Sequence, residues 1–125
     1  MSATKQIPRQ EWQGYFDRFT REQLMATPPR EVTIEVVSPD IGDQLEGALV
    51  RLMGMSYDPK DDEVEVLLED LDHLVFRPTE IWVIEEDDGA VSTIELVRGD
   101  GIRELLHVQR GGPLAQRQEQ PPPPP

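Results

Sequence analysis

The hydrophobic pattern of this chain changes its period once, and that change limits the possible folds more than any other feature. Four large apolar residues near the start follow the helical spacing i, i+3, i+4, i+7, and they are Trp12, Tyr15, Phe16 and Phe19. From Glu31 onward the period becomes two, which is the spacing of a half-buried strand. The sequence therefore predicts one N-terminal amphipathic helix followed by β-strands.

The aromatic residues are concentrated in the predicted helix. Four of the seven aromatic side chains lie between positions 12 and 19, so this segment supplies a large share of the area available for packing. Pro8 suits the first turn, because its missing N–H costs nothing there. We expect the stripe to pack into the core and not to dock a partner, since apolar patches of this size are uncommon on monomers.

The middle of the chain predicts a series of short strands separated by turns. The clearest strand covers residues 63–69, because Val64, Val66 and Leu68 alternate with glutamates. The Asp88-Gly89 pair predicts a tight hairpin turn. The predicted fold is α+β, with one N-terminal amphipathic helix packed on a six- to seven-stranded antiparallel meander. Such a sheet is expected to curl or to close into a small barrel, because exposed strand edges must be covered.

The composition divides the chain into three predicted parts. Residues 1–6 are expected to form a flexible N-terminus, and residues 7–109 a single α+β domain. Residues 110–125 are expected to form a disordered proline-rich tail, because a run of five prolines adopts polyproline II and does not join a core.

The net charge of −13 is unevenly distributed. Residues 31–109 carry 21 acidic and five basic side chains, whereas the segments on either side are slightly positive. Such a field repels phosphate backbones and anionic lipid headgroups. We therefore expect no nucleic-acid partner and no membrane partner, and we interpret the acidic region chiefly as a solvated face.

The chain has no cysteine, which excludes disulfides, thiolate metal sites and cysteine nucleophiles. No apolar run approaches the roughly 18 residues needed to span a bilayer. The first residues also lack the apolar stretch of a signal peptide. These observations predict a cytoplasmic protein.

The Asp-rich segment after Tyr57 fits calcium coordination poorly. A calcium-binding loop that starts at Asp58 needs an oxygen ligand at position 60 and a glycine at position 63. The chain has Lys60 and Glu63 at these positions. We therefore interpret the segment as a solvated hairpin turn.

The candidate metal ligands are Asp70, Asp72 and His73, which lie close together in the sequence. Imidazole and carboxylate groups together suit several divalent metals. The other histidine, His107, is far along the chain, and neither histidine has H-x-H or H-E-x-x-H spacing. The favoured interpretation of His73 is a structural histidine at the start of a strand, and a metal site is the alternative.

The sequence contains no recognised catalytic motif. None of the four serines lies in a G-x-S-x-G context, and Gly99-Asp100-Gly101 lacks the later glycine of a phosphate-binding loop. Carboxylate pairs are abundant, but abundance without an apolar cleft predicts no raised pKa. We therefore expect a protein that is not an enzyme and that carries no cofactor.

Several segments resemble a family of short, uncharacterised bacterial proteins of unknown function. The matching residues are Ile7-Pro8, Trp12, Phe16 and Phe19 in the helix, Asp40-Ile41-Gly42, Ser56-Tyr57-Asp58, and Leu71-Asp72-His73-Leu74 followed by Pro78. The resemblance covers about residues 7–109, and its most specific part is the I-P-x-x-x-W-x-x-x-F-x-x-F helix. The family has no established activity, so the resemblance implies no catalytic role for any residue.

These observations name no biological role. They favour a non-enzymatic, acidic protein-interaction module that binds a protein partner or a second copy of itself. The alternative is a domain that binds a small ligand or a divalent cation through His73 and nearby carboxylates.

Overall fold

The computed structural model describes residues 2–25, 28–40 and 42–110, without the side chains of residues 43–48. The tail predicted for residues 110–125 therefore lies outside the described residues, apart from Arg110.

The N-terminal segment forms the predicted amphipathic helix. A 3-10 turn (Arg9–Glu11) leads into α1 (Trp12–Phe19), which continues as a π-helical turn (Thr20–Leu24). The four aromatic residues of α1 are all buried on one face. The predicted core role of this stripe is therefore confirmed. In the described part of the chain no helix is long and apolar enough to cross a membrane.

Eight strands form one antiparallel sheet. They are β1 (Ala3–Gln6), β2 (Arg30–Ser38), β3 (Gly42–Asp58), β4 (Glu63–Leu68), β5 (Asp72–Phe76), β6 (Pro78–Glu85), β7 (Val91–Arg98) and β8 (Arg103–Arg110). The spatial order is β1-β6-β7-β8-β2-β3-β4-β5. Two meanders, β2 to β5 and β6 to β8, are therefore joined by the pairing of β8 with β2.

The sheet differs from the prediction in strand count. It has eight strands instead of six or seven. Of the two predicted forms it is the open sheet and not the closed barrel, because β1 and β5 are its two ends. The extra strand is β1, which precedes the helix within the segment predicted to be flexible. Its four residues are all exposed and have no alternating apolar pattern, so pairing with β6 makes them a strand.

The hydrophobic core lies between α1 and the concave face of the sheet. Alternation on β4 buries Val64, Val66 and Leu68 as predicted, and β6 and β7 contribute buried residues at the same spacing. The predicted Asp88-Gly89 turn joins β6 to β7, with Gly89 at a φ of 87° that favours glycine. The end of the helix is fixed to β3 because Thr20 exchanges hydrogen bonds with the backbone of Met55 at 2.8 and 2.9 Å.

The aromatic stripe of α1 should carry a large part of the folding free energy. We expect Phe16→Ala to lower the free energy of unfolding by about 3–5 kcal/mol, because Phe16 is fully buried and its removal leaves a cavity. Urea denaturation measures this change. Gln13→Ala on the exposed side of the same helix is the control and should change it by less than about 0.5 kcal/mol. Equal losses in the two variants would contradict the core assignment.

Candidate functional site

Three residues from three strands meet inside the curled sheet, and we call them the His73 cluster: His73 on β5, Arg98 on β7 and Glu104 on β8. Oε1 of Glu104 lies 2.5 Å from Nε2 of His73. Oε2 of Glu104 accepts a hydrogen bond from Nη1 of Arg98 at 3.4 Å. The cluster therefore joins β5, at one end of the sheet, to β7 and β8 near its middle.

Burial makes the carboxylate the critical member of the His73 cluster. The side chain of Glu104 is 3% exposed, whereas those of His73 and Arg98 are 26% and 34% exposed. A buried carboxylate is costly unless it is paired and hydrogen-bonded. Both oxygens of Glu104 have a partner, and Arg98 also pairs with Asp100 at 2.7 Å. The cluster is thus organised to neutralise Glu104.

Sequence reasoning singled out His73 but missed its partner. Glu104 occupies a position on β8 that shares a face with buried Leu106 and Val108. An acidic residue at a strand position where the alternation predicts a buried apolar residue is the sequence signal for this site. The contact between Nε2 of His73 and the carboxylate of Glu104 fixes the orientation of the imidazole ring. A hydrogen bond to one ring nitrogen commonly has this effect on histidine.

The structure does not group the three candidate metal ligands. Asp70 lies exposed in the turn between β4 and β5, and Asp72 is exposed on β5, where it precedes the inward-facing His73. Consecutive residues of a strand point to opposite faces of the sheet. Within the described ranges the group with ligand atoms inside 4.8 Å is instead Asp58, Asp61 and Glu63, at the β3–β4 turn.

The second histidine lies apart from the first. His107 is on the opposite face of β8 from Glu104, and its Nε2 is 2.9 Å from Oε1 of Glu35 on β2. Residues at odd and even positions of β8 face opposite sides of the sheet. The structure therefore does not assemble His73 and His107 into one site.

A second polar cluster joins the helix start to the β3–β4 turn. Arg9 donates hydrogen bonds to Tyr57 at 3.3 Å, to Asp62 at 3.2 Å and to the carbonyl of Pro78 at 3.0 Å. Its guanidinium also lies 4.4 Å from the ring of Trp12, a cation–π distance. Burial, and then the hydrogen bond from Tyr57 to Asp62, raise the pKa of Tyr57.

This second cluster forms one wall of a cavity of about 530 Å³. The guanidinium of Arg9 donates hydrogen bonds to three acceptors, so its main role is to stabilise the contact between the helix start and the sheet. No sequence motif marked it, although both Trp12 and Tyr57 belong to the segments that carry the family resemblance. Tyr57 packs edge-on against Trp12 with ring centroids 5.1 Å apart.

A third cluster ties β1 and β6 to the other side of the helix. The hydroxyl of Tyr15 donates to Glu85 at 2.7 Å, and Lys5 pairs with the same carboxylate at 3.1 Å. Burial, reinforced by Glu85, raises the pKa of Tyr15 well above its ordinary value. Burial also acts to raise the pKa of Glu85, but the hydrogen bonds from Tyr15 and Lys5 outweigh it and lower that pKa.

These observations define a small α+β domain in which one helix fills an open, eight-stranded antiparallel sheet. The chain belongs to DUF5335, a family of unknown function whose profile matches residues 3–117. It is 44% identical over 113 residues to an uncharacterised protein of Aquifex aeolicus (strain VF5), which covers 90% of this chain and 97% of the relative. No solved structure matches the chain. The expected membership in an uncharacterised bacterial family is confirmed.

The His73 cluster should contribute to stability chiefly through its buried carboxylate. We expect Glu104→Gln to lower the free energy of unfolding by about 1–3 kcal/mol, because it removes the charge that both partners contact. The matched control is Glu95→Gln, since Glu95 pairs with Arg103 at 3.7 Å in a more exposed position. That change should cost less than about 0.5 kcal/mol in thermal or urea unfolding. Similar small losses in both variants would contradict the proposed role.

Proposed function

We propose that this protein is a non-enzymatic interaction module that binds a basic, partly apolar segment of a partner protein. The binding surface consists of six residues on the solvent side of the β4–β5 hairpin, which we call the β4–β5 outer surface. They are Glu63, Glu65, Leu67, Asp72, Leu74 and Phe76. The observation that carries the proposal is their arrangement in acidic–apolar pairs directly across the two strands.

The strand register creates this pairing. Glu63 is opposite Phe76, Glu65 is opposite Leu74, and Leu67 is opposite Asp72. Directly opposite residues in an antiparallel pair lie on the same face with their Cβ atoms about 4.5–5.5 Å apart. The surface therefore alternates carboxylates with large apolar side chains. An extended segment that carries basic and apolar side chains in turn on one face, at every second residue, is complementary to it.

The apolar members of this surface are unusually exposed for a strand of a small domain. Phe76 is 55% exposed, and Leu67 and Leu74 are each 39% exposed. Leu71 in the adjoining turn is 53% exposed. A contiguous exposed apolar group with a polar border is typical of a binding site for another protein.

Crowded carboxylates add an electrostatic reason for a basic partner. Burial, followed by the neighbouring Asp72, raises the pKa of Glu65, and Glu63 acts in the same direction. A cationic side chain placed between these carboxylates would relieve their mutual repulsion. A second copy of this chain, which has a net charge of −13, would instead add further carboxylates. The charge therefore favours a basic partner over self-association.

The position of the hairpin leaves it accessible. β5 is the last strand of the sheet and pairs with β4 on one side only among the described residues. Terminal strands readily accept an added strand, which is a common mode of peptide recognition. An extended basic segment would thus have both the face and the edge of β5 available.

The alternative of cation binding at His73 is less favoured. Nε2 of His73 already contacts Glu104, and the carboxylate of Asp72 belongs to the opposite face of β5. A metal bound there would compete with Arg98 for the same buried carboxylate.

Two further predictions from the sequence stay predictions. One is that the protein is cytoplasmic, and the other is that the I-P-x-x-x-W-x-x-x-F-x-x-F helix is characteristic of the family.

A synthetic peptide tests the proposed surface directly. We expect a peptide of two Lys-Thr-Val-Thr repeats, which places lysine and valine in turn on one face when extended, to bind the full chain in isothermal titration calorimetry, and a peptide of two Glu-Thr-Val-Thr repeats not to bind. The double change Leu74→Ser with Phe76→Ser should weaken binding about tenfold or more, because it removes the apolar anchors. Binding should also weaken with added salt and as pH falls through the raised pKa of Glu65, since protonation removes the charge that attracts lysine.

The control is Leu49→Ser, which removes an exposed apolar side chain of β3 outside the proposed surface. This variant should bind the basic peptide as the original chain does, and circular dichroism confirms that each variant is folded. Equal binding by the double variant and the original chain would contradict the proposal, as would equal binding of the acidic peptide.

A further inference from the structure

A separate, open cavity lies at one end of the sheet, where β2 begins and β8 ends. Its volume is about 500 Å³, and its wall includes Arg30, Arg110, Val91 and Val108. This size is typical of pockets that hold small molecules. None of its lining residues belongs to the β4–β5 outer surface, so any ligand bound there is independent of the proposed partner.

Arg30 is the unusual residue of this cavity. It is 9% exposed, and it stands on β2 in the same inward phase as buried Val32 and Ile34. Its hydrogen bond within the described residues is a long one, from Nε to the carbonyl oxygen of Gln23 at 3.5 Å. A guanidinium group has five N–H donors, so most of its bonding capacity is unused in this part of the chain.

The unused donors of Arg30 are open to solvent. Across the described residues, every fully enclosed side-chain nitrogen or oxygen atom has a hydrogen-bond partner. The terminal nitrogens of Arg30, which have none there, are therefore not enclosed, and Arg30 is one of the residues that line the cavity. A ligand in this cavity would thus have the guanidinium donors within its wall.

The charges around Arg30 offset its charge only in part. Arg110 is directly opposite it in the strand register and donates to Asp88 at 3.3 Å. Burial, and then repulsion from Arg110, lower the pKa of Arg30, and the charge of Asp88 acts in the opposite direction. Among the described residues no carboxylate accepts a hydrogen bond from Arg30, and a nearly buried guanidinium without such a partner is unfavourable. A carboxylate ligand would supply two acceptors in the geometry that the guanidinium fork prefers.

The cavity wall also contains acidic residues, and they limit the kind of ligand. The turn between β6 and β7 contributes Glu86, Asp87 and Asp88 to the lining. Three carboxylates outnumber the two guanidinium groups of the lining, so a dianion such as inorganic phosphate would be repelled. A ligand with both a carboxylate and an ammonium group matches both kinds of charge.

We propose that this cavity binds a small zwitterion, whose carboxylate pairs with Arg30 and whose ammonium group faces the acidic turn between β6 and β7. An α-amino acid with an apolar side chain is the simplest member of this class. Val91 and Val108 are buried residues in the cavity wall and would contact that side chain.

Three probes with the same apolar body separate the two charged contacts. L-Leucine has both groups, 4-methylpentanoate has the carboxylate alone, and 3-methylbutylamine has the ammonium group alone. Isothermal titration calorimetry with the full chain should show L-leucine binding most tightly, the carboxylate more weakly and the amine least. Arg30→Gln should weaken leucine binding about tenfold or more, because it removes a charged hydrogen-bonding partner.

The matched control is Arg103→Gln, since Arg103 is an exposed arginine of β8 that pairs with Glu95 outside the cavity. It should bind L-leucine as the original chain does. Arg30→Lys keeps the charge but loses the planar fork and should bind with intermediate affinity, which distinguishes a lost contact from a folding defect. No binding of L-leucine, equal binding of the three probes, or equal binding by Arg30→Gln would overturn the proposal.

Discussion

The packing of one aromatic helical face into a sheet that does not close is the interaction on which the rest of the structure depends. An antiparallel sheet with two free ends cannot bury its concave face by itself, and α1 supplies the missing layer. Polar clusters fix this layer at both sides, through Arg9 at its start and through Tyr15 in its middle. Because the helix occupies the interior, both proposed binding sites lie elsewhere, one on the outer face and one at the end of the sheet.

Charged side chains have different surroundings in the interior, on the β4–β5 outer surface and at the end of the sheet. Inside the curl, the carboxylate of Glu104 contacts His73, pairs with the charge of Arg98 and links β5 to β7 and β8. On the β4–β5 outer surface, carboxylates lie beside one another and beside exposed apolar groups. At the end of the sheet where β2 begins, Arg30 is nearly buried and, among the described residues, has no hydrogen bond to a carboxylate, although the acidic turn between β6 and β7 lines the same cavity. The two proposed binding sites rest on these two arrangements of charge.

The strongly periodic parts of the fold could be predicted from the sequence, whereas contacts between distant segments could not. The spacing of the α1 aromatics and the alternation on β4 identified a helix and a strand correctly. β1 was missed because Ala3–Gln6 is exposed and becomes a strand only by pairing with β6. The partner of His73 was missed because Glu104 is 31 residues away and meets it through the curl of the sheet. Glu104 and Arg30 are both charged residues at strand positions where the alternation predicts an apolar residue. This departure from the alternation is the sequence feature that could have identified both.

Hydrogen exchange of the backbone amides tests the central claim most directly. The claim is that the hairpin at the end of the sheet, and not its helix-covered interior, is where a partner binds. NMR spectra of the full chain, recorded with and without the Lys-Thr-Val-Thr peptide, report the exchange rates of the amides in each strand. The account predicts slower exchange of the β5 amides, Asp72–Phe76, in the presence of the peptide, with the rates of central strand β7 unchanged. Unchanged exchange in β5, or protection confined to other strands, would contradict it.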